Sequence, residues 1–249
     1  SFGDWPAVAP TTEATPPRPA EKLPDWLTTP APRQPHAPGP IAATALGGDK
    51  VLAAADHATQ APGDREAALL AGTRLHLLLE HLPDLPPQDW PARAADLLAG
   101  AEGGLPTAAE IAALLDELAE ITQAESLAPL LSPPPGATVL REAPLSAPLP
   151  GGRLLSGTID RLVITSDRIT IVDYKSNAAV PDTPEATPEG YLRQMAAYRH
   201  AARAIWPGRA VDCVILWTRA RRAMALPDAT LDLAWAAAIH GLEPAAAGP

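Results

Sequence analysis

Residues 157–176 read GTIDRLVITSDRITIVDYKS and contain two apolar stretches separated by the polar pair Ser166-Asp167. Both stretches are rich in β-branched residues, and a short polar break between such stretches predicts a hairpin of two antiparallel strands, over 154–165 and 168–175. Strand side chains alternate between the two faces of a sheet, so a symmetric turn places three facing pairs on one face. Those pairs are Ile164 with Ile169, Leu162 with Ile171, and Asp160 with Asp173.

Two facing carboxylates and a lysine lie at the outer end of this predicted hairpin. Like charges about 5 Å apart repel by roughly 3 kcal/mol at an effective dielectric of about 20. A divalent cation removes that penalty, and Mg²⁺ prefers carboxylate oxygen. Lys175 points to the same face as Asp173, where its charge can stabilise a phosphate. The set favours metal-dependent phosphodiester hydrolysis. On register alone, a purely structural role is an equal alternative to a metal site. In that case Asp160 would cap a bend, and Asp173 would pair only with Lys175.

Patterns on both sides of the hairpin predict helices and two further strands. Helices are predicted over 64–82 with Asp64 as N-cap, from 91 to about 103, and from a Thr107–Glu110 capping box to about 120. Strands are predicted over 138–149, an edge strand because of its prolines, and over 211–218, a buried one. A helix from Thr187-Pro188 to about 206 separates hairpin and last strand, and a short helix follows Asp228. This order predicts a mixed α/β domain.

The N-terminal part has a different composition from the rest. The first 40 residues hold 11 of the 31 prolines, which predicts an extended tether with apolar anchors at Trp5 and Trp26-Leu27. The expected organisation is a Pro/Ala-rich tether over 1–60 and one domain over 61–249, with its core at about 138–222. The chain starts without Met, so we expect it to be part of a longer polypeptide.

Charge and cysteine content narrow the classes of function. The net charge is −10, but residues 138–222 carry 12 Lys/Arg against 8 Asp/Glu, which permits DNA binding. No apolar stretch reaches the length of about 18 residues that a membrane span needs, and no secretory signal is present. A single cysteine, Cys213, excludes a disulfide framework and an iron–sulfur cluster and favours a cytoplasmic setting.

Four elements of the sequence resemble the PD-(D/E)XK nuclease superfamily, and its RecB-like branch in particular. Residues 157–162 and 171–176 resemble the active-site core. Gly72-Thr73-x-x-His76 is similar to the helical histidine motif of that branch, and Gln194-x-x-x-Tyr198 to its Gln-x-x-x-Tyr helix. The usual proline before the first aspartate is Ile159 here. The resemblance implies a restriction-endonuclease-like αβββαβ core with a mixed central sheet, preceded by extra helices and the Pro-rich tail.

The resemblance also implies a site and a biological setting. His76, Asp160, Asp173 and the Tyr174 carbonyl would hold Mg²⁺, which Mn²⁺ is expected to replace, and Lys175 would be catalytic. With Pro24–Pro30 leading the domain, the sequence resembles the C-terminal nuclease domain of the alphaproteobacterial helicase–nuclease subunit AddA. Its implied partners are DNA, a helicase portion of the same polypeptide and an AddB-type second subunit. That second subunit carries a four-cysteine iron–sulfur cluster, for which this chain lacks the ligands.

Five further polar residues are candidates for DNA binding or support of the active site. Gln194 and Tyr198 share a helix face, so ordinary packing on the sheet is an equal alternative for them. Glu142 is predicted either to orient Lys175 or a water, or to form a surface salt bridge. Arg219 and Arg221 follow the last core strand and are candidates for phosphate contacts, although a solvated basic loop is the simpler interpretation.

Two other functions remain open from the sequence. One is a non-catalytic module that guides DNA or docks within the same repair complex, and the other is a free-standing restriction-type nuclease. The joint presence of Asp160, Asp173 and Lys175 favours an enzyme. The sequence contains no Gly-x-x-x-x-Gly-Lys-Ser/Thr loop, so this chain is not expected to hydrolyse nucleotide itself.

Overall fold

The computed structural model describes residues 39–50, 62–101, 103–149, 152–177, 179–240 and 242. The predicted anchors Trp5 and Trp26-Leu27, and the Pro24–Pro30 segment, lie outside these residues. The described helices are α1 (Pro62–His81), α2 (Trp90–Ala99), α3 (Ala108–Gln123), the one-turn α4 (Ala128–Leu131), α5 (Glu189–Ile205) and α6 (Asp228–His240). The described strands are β1 (Ile41–Ala42), β2 (Thr138–Pro148), β3 (Leu154–Ile164), β4 (Arg168–Lys175), β5 (Ala210–Trp217) and β6 (Arg222–Leu226).

The strands form one mixed sheet in the order β1-β3-β4-β5-β6, and β2 pairs with β3 outside this path. β2 runs antiparallel to β3 from end to end, so β4 and β1 share the other edge of β3. β4 pairs there with residues 161–164, and β1 pairs in parallel with residues 155–156. α5 is the crossover that returns the chain to β5, which is parallel to β4. The predicted mixed α/β fold is confirmed.

Helices cover both faces of the sheet, which gives the domain two apolar clusters. The α5-facing cluster joins α5 to one face of the sheet and includes Ile169 and Ile171 of β4. The helical-layer cluster joins α1, α2 and α3 to the other face and includes Val172 and Tyr174. β4 contributes alternate residues to the two clusters because its side chains alternate along the strand. Burial on both faces explains why β5 is apolar except for Asp212.

Several sequence predictions of local structure are confirmed. The hairpin register is the expected one, with Ile164 opposite Ile169 and Leu162 opposite Ile171. The α3 capping box is present: the Thr107 side chain accepts from the Glu110 backbone N–H, and the Glu110 carboxylate accepts from the Thr107 backbone N–H at 2.6 Å. Among the described strands, β2 pairs only with β3, which is the predicted edge position for a strand containing two prolines.

Other local predictions were wrong. Residues 41–46 fall in the predicted tether, yet Ile41 and Ala43 are buried in the α5-facing cluster and β1 pairs with β3. α1 begins at Pro62, so Asp64 lies inside the helix rather than at its N-cap. α5 is preceded by Pro188 without a side-chain cap, so Thr187 does not cap it. β6 lies where the sequence predicted no strand, because its short sequence Arg-Ala-Met-Ala-Leu has no distinctive β pattern.

Candidate functional site

Asp160 lies where β3 and β4 separate. The last paired residues of this ladder are Arg161 and Val172, so the expected rung between Asp160 and Asp173 is absent from it. The Asp160 carboxylate instead accepts a hydrogen bond from the backbone N–H of Tyr174, with 2.6 Å between Oδ2 and N. The side chain thus takes the place of a ladder partner, and the two carboxylates come near each other at an opening in the sheet.

β2 and β3 change the face that they present at this same position. Ile159 and Leu162 both belong to the α5-facing cluster although they are three positions apart, a spacing that places residues of a regular strand on opposite faces. Arg161 points to the other face, where its guanidinium donates to the carbonyls of Leu130 and Leu131 at 2.8 Å. Glu142, opposite Asp160 in the register, has a φ of 44°, which is strained for a residue with a side chain. The distortion brings the site residues to the point where the sheet opens.

Asp173 is 1% exposed, and α5 and Lys175 provide its contacts. Its Oδ1 accepts a hydrogen bond from Gln194 Nε2 at 3.0 Å. Its Oδ2 forms an ion pair with the Lys175 ammonium but accepts no hydrogen bond of good geometry from the described part of the chain. A buried carboxylate oxygen whose contact is a single cation retains lone pairs that a further cation can use.

Gln194 and Tyr198 connect Asp173 to the other strand of the hairpin. Gln194 Nε2 also donates to the Tyr198 hydroxyl at 3.1 Å, and that hydroxyl donates to the Thr158 carbonyl at 2.7 Å. The hydrogen bonds therefore run from β3 through α5 to Asp173 on β4. The two residues do more than pack α5 on the sheet, since they fix the carboxylate that faces Lys175.

Replacing Gln194 with methionine tests this connection. Loss of the amide leaves Asp173 free to rotate, and supporting hydrogen bonds of this kind are worth about 10–100-fold in metal affinity or activity. We expect a loss of that size in the cleavage rate. The Mg²⁺ concentration that half-maximally raises the melting temperature is measured beside it as a readout of metal affinity. Tyr198→Phe is the matched control: it keeps the Gln194–Asp173 bond, so its loss should be smaller. Equal losses in the two variants would show that Gln194 acts only through Tyr198.

Gly157 allows Tyr198 to reach its position. A β-carbon on Gly157 would lie 2.7 Å from Cε1 of Tyr198 and 3.3 Å from the β-carbon of Ala43. The tyrosine ring is buried and hydrogen-bonded at its tip, so it has no room to move aside. This explains the glycine three residues before Asp160 in the sequence motif.

We expect Gly157→Ala to lower the free energy of unfolding by about 1–3 kcal/mol through overpacking, and to lower nuclease activity as Tyr198 shifts. Thermal melting and an activity assay check the two effects. Gly100→Ala is the matched control, because a β-carbon there meets nothing within 4 Å. A Gly157→Ala variant that melts like the wild type would show that Tyr198 has another place to go.

His76 reaches the same region from α1. Its ring contacts that of Tyr174 edge-on, with 5.6 Å between the centroids. Gly72, one turn earlier, allows the close approach of the helix: a β-carbon there would lie 2.5 Å from Oγ of Ser176, just after Lys175. The two residues of the helical motif therefore act together. Gly72 permits contact with the segment 175–177, called the Lys175 loop, and His76 supplies an imidazole.

The charges at the site influence one another strongly. Burial, and then the negative charge of Asp173, raise the pKa of Asp160 to about 8. Burial alone would lower the pKa of Lys175, but Asp173 and Asp160 outweigh it, so the pKa is raised and the lysine is charged. Burial and the charge of Lys175 lower the pKa of His76, which keeps its imidazole neutral and able to act as a ligand.

Glu142 adds a third negative charge beside the two aspartates. Burial, and then the charges of Glu80 and Asp173, raise its pKa. Glu80 is one turn after His76 on α1, and no signal in the sequence analysis selected it. No ion pair or hydrogen bond to Lys175 is formed by Glu142 in the described residues, so its predicted orienting role finds no direct contact.

The structure does not bring Arg219 and Arg221 to this group. Arg221 forms an ion pair with Glu120 of α3. Burial raises the pKa of Glu117 of α3, and the nearby charge of Arg219 offsets part of that rise. Both arginines face acidic side chains of the helical layer. Arg222 is also occupied, since its guanidinium donates to the carbonyls of Pro181 and Asp182.

The donor set fits a hard divalent cation. Among the described residues no three His, Cys, Asp or Glu side chains already stand in ligating positions. The buried Oδ2 of Asp173 nevertheless forms an ion pair with Lys175 and accepts no hydrogen bond from the described residues. Burial, and then the negative charge of Asp173, raise the pKa of Asp160 to about 8. A cation bound by Asp160, Asp173 and the neutral His76 would use the remaining lone pairs of Oδ2 and would offset the repulsion between the two carboxylates.

The family of the chain follows from comparison with known proteins. The sequence profile of the PD-(D/E)XK nuclease superfamily matches residues 51–236. The chain belongs to the PD-(D/E)XK nuclease superfamily. No curated protein matches the sequence. Among solved structures, the crystal structure of SSO0001 is 13% identical, over 72% of this chain and 87% of that one, with a TM-score of 0.29 that is too low to support an argument.

Superfamily membership accounts for a mixed sheet with flanking helices. Three residues near the site received no role from the sequence: Ser176, Asn177 and Glu80. A fourth is Tyr191, three residues before Gln194 on α5. Serine and asparagine after a strand are ordinary turn residues, and so no pattern distinguishes them before the fold is known.

Proposed function

We propose that this chain is a metal-dependent deoxyribonuclease domain that hydrolyses phosphodiester bonds of DNA. The observation that carries the proposal is the convergence of Asp160, Asp173 and Lys175 at the opening between β3 and β4. Superfamily membership supports a nuclease, and the buried, incompletely paired Asp173 supports a cation.

Asp160, Asp173 and His76 are the side chains that would hold Mg²⁺ or Mn²⁺, with the Tyr174 carbonyl as a further ligand. When bound, the ion would activate a water and stabilise charge on the scissile phosphate. Lys175 supplies a fixed positive charge for the phosphate oxygens, and Gln194 keeps the Asp173 carboxylate in one orientation. The neutral imidazole of His76 would bind the ion as an uncharged ligand beside the two carboxylates.

The biological setting that we propose is a double-strand-break repair helicase–nuclease. The glycine–histidine motif of α1, the Gln194–Tyr198 motif of α5 and the Pro24–Pro30 segment support a RecB-like, AddA-type domain. In that setting a helicase portion of the same polypeptide delivers DNA strands, and an AddB-type subunit is the partner in a cytoplasmic complex. In the described residues, no helix has both the length and the apolar character needed to cross a bilayer.

Incubation with single-stranded DNA in Mg²⁺, beside the same reaction in EDTA, tests the proposed function. We expect cleavage that requires the metal and that Asp173→Ala abolishes. Asp212→Ala is the matched control, because Asp212 is a half-exposed strand aspartate that pairs with Arg168 away from the site. If neither Mg²⁺ nor Mn²⁺ supports cleavage by the wild type, alone or joined to its helicase portion, the non-catalytic docking module becomes the better interpretation.

A further inference from the structure

Tyr191 of α5 contacts the Lys175 loop at two points. The Lys175 ammonium lies 4.9 Å from the centroid of the Tyr191 ring, on its face. The Tyr191 hydroxyl donates a hydrogen bond to Oδ1 of Asn177 at 3.2 Å. The buried ring of Trp217 meets Tyr191 edge-on, with centroids 6.2 Å apart. The aromatic face is thus held in place by an asparagine on one side and a tryptophan on the other.

Lys175 consequently has two neighbours that attract a cation. One is Oδ2 of Asp173, with which it forms an ion pair, and the other is the face of Tyr191. The side chain of Lys175 is 16% exposed, so water provides little of its environment. An ammonium on Oδ2 and a divalent cation on the same carboxylate repel each other, and therefore they compete. The ring face differs from the carboxylate because it attracts the ammonium without using a metal ligand.

We propose that Tyr191 is a positioning residue that holds Lys175 when a divalent cation takes Asp173, an inference that rests on the proposed function. When the cation is bound, the ring would keep the ammonium beside the Asp173 carboxylate but no longer paired with it. Without the ring, the Asp173 carboxylate remains the ion-pair partner of Lys175, and the ammonium opposes the incoming ion. Tyr191 therefore raises the affinity for the cation and leaves Lys175 directed at the site.

A double-mutant cycle on the full chain tests the proposal, with the melting temperature followed against Mg²⁺ concentration. A partly desolvated cation–aromatic contact corresponds to a change of about fivefold in an equilibrium constant. We expect Tyr191→Leu, and Tyr191→Met as a second apolar variant, to raise the half-maximal Mg²⁺ concentration by about that factor. Tyr191→Phe keeps the aromatic face and should keep the wild-type value, although it loses the bond to Asn177.

The second side of the cycle removes the lysine charge. In a Lys175→Met background, Tyr191→Leu should leave the half-maximal Mg²⁺ concentration unchanged, because no ammonium remains to be held. An equal shift in both backgrounds would mean that Tyr191 acts through packing alone, and it would overturn the proposal. A wild type whose melting ignores Mg²⁺, or a Tyr191→Phe variant that behaves like Tyr191→Leu, would overturn it as well.

A cleavage assay separates this inference from the proposed function. Tyr191→Leu should lower kcat and leave KM for DNA near the wild-type value, since the change affects Lys175 rather than DNA binding. If the cycle shows the expected coupling but the wild type does not cut DNA, the nuclease function fails and the placement of Lys175 stands. If the wild type cuts DNA and the cycle shows no coupling, only the role of Tyr191 fails.

Discussion

Replacement of Lys175 with alanine is expected to lower the rate of DNA cleavage by about a thousandfold while binding of metal and DNA persists. Removal of one preorganised donor from a site that stabilises developing negative charge costs about 10²–10³ in rate. Lys175 is the cation in contact with Asp173, so its loss also removes a competitor for the metal. The half-maximal Mg²⁺ concentration in a melting experiment should therefore stay the same or fall.

The controls for this variant concern stability and DNA contact. Loss of one partner from a buried ion pair destabilises a protein, so the melting temperature without metal should decrease and has to be measured beside activity. Arg168→Ala is the matched variant, because Arg168 is an exposed cation at the far end of β4. An equal loss of DNA affinity and cleavage in Lys175→Ala would make the lysine a plain phosphate contact.

Asp160→Asn is expected to stabilise the metal-free protein at alkaline pH and to abolish its response to Mg²⁺. The asparagine removes one negative charge from the neighbourhood of Asp173, while its side-chain oxygen still accepts from the Tyr174 backbone N–H. The pKa of the Asp160 carboxyl is raised from 3.8 to about 8, so removing its ionised form should stabilise the folded state at alkaline pH by on the order of a few kcal/mol. Cleavage should be lost with the ligand, and a melting titration with Mg²⁺ checks both effects.

The stability of the metal-free wild type should decrease as the pH rises. Because the folded pKa of Asp160 lies above the unfolded value, the folded state binds the proton more tightly than the unfolded state does. The contribution of this group to stability is fully present below about pH 4 and is lost as the pH rises through about 8. The Asn variant should lack this loss. A variant that is clearly destabilised without metal and still responds fully to Mg²⁺ would make Asp160 a structural cap.

Most of the secondary structure near the site could be predicted from local sequence. The hairpin register follows from a short polar break and from period-two alternation, and four consecutive rungs agree with it. The α3 capping box depends on only two side chains, Thr107 and Glu110, three positions apart at the start of the helix, so it can be predicted from the sequence. β1 and β6 were not predictable, because strands of two and five residues without distinctive side chains acquire their conformation from the strands beside them.

Residues 157–176 by themselves determined that Asp160, Asp173 and Lys175 come to one end of a hairpin, because alternation and a tight turn are local properties. Only the tertiary structure decided what these side chains contact. α5 brings Gln194 to Asp173 and Tyr191 to Lys175, and α1 brings His76, through a glycine that permits contact with Ser176. Those contacts join residues distant in the chain, and the desolvation and mutual repulsion that raise the pKa of Asp160 exist only once the helices have covered the sheet.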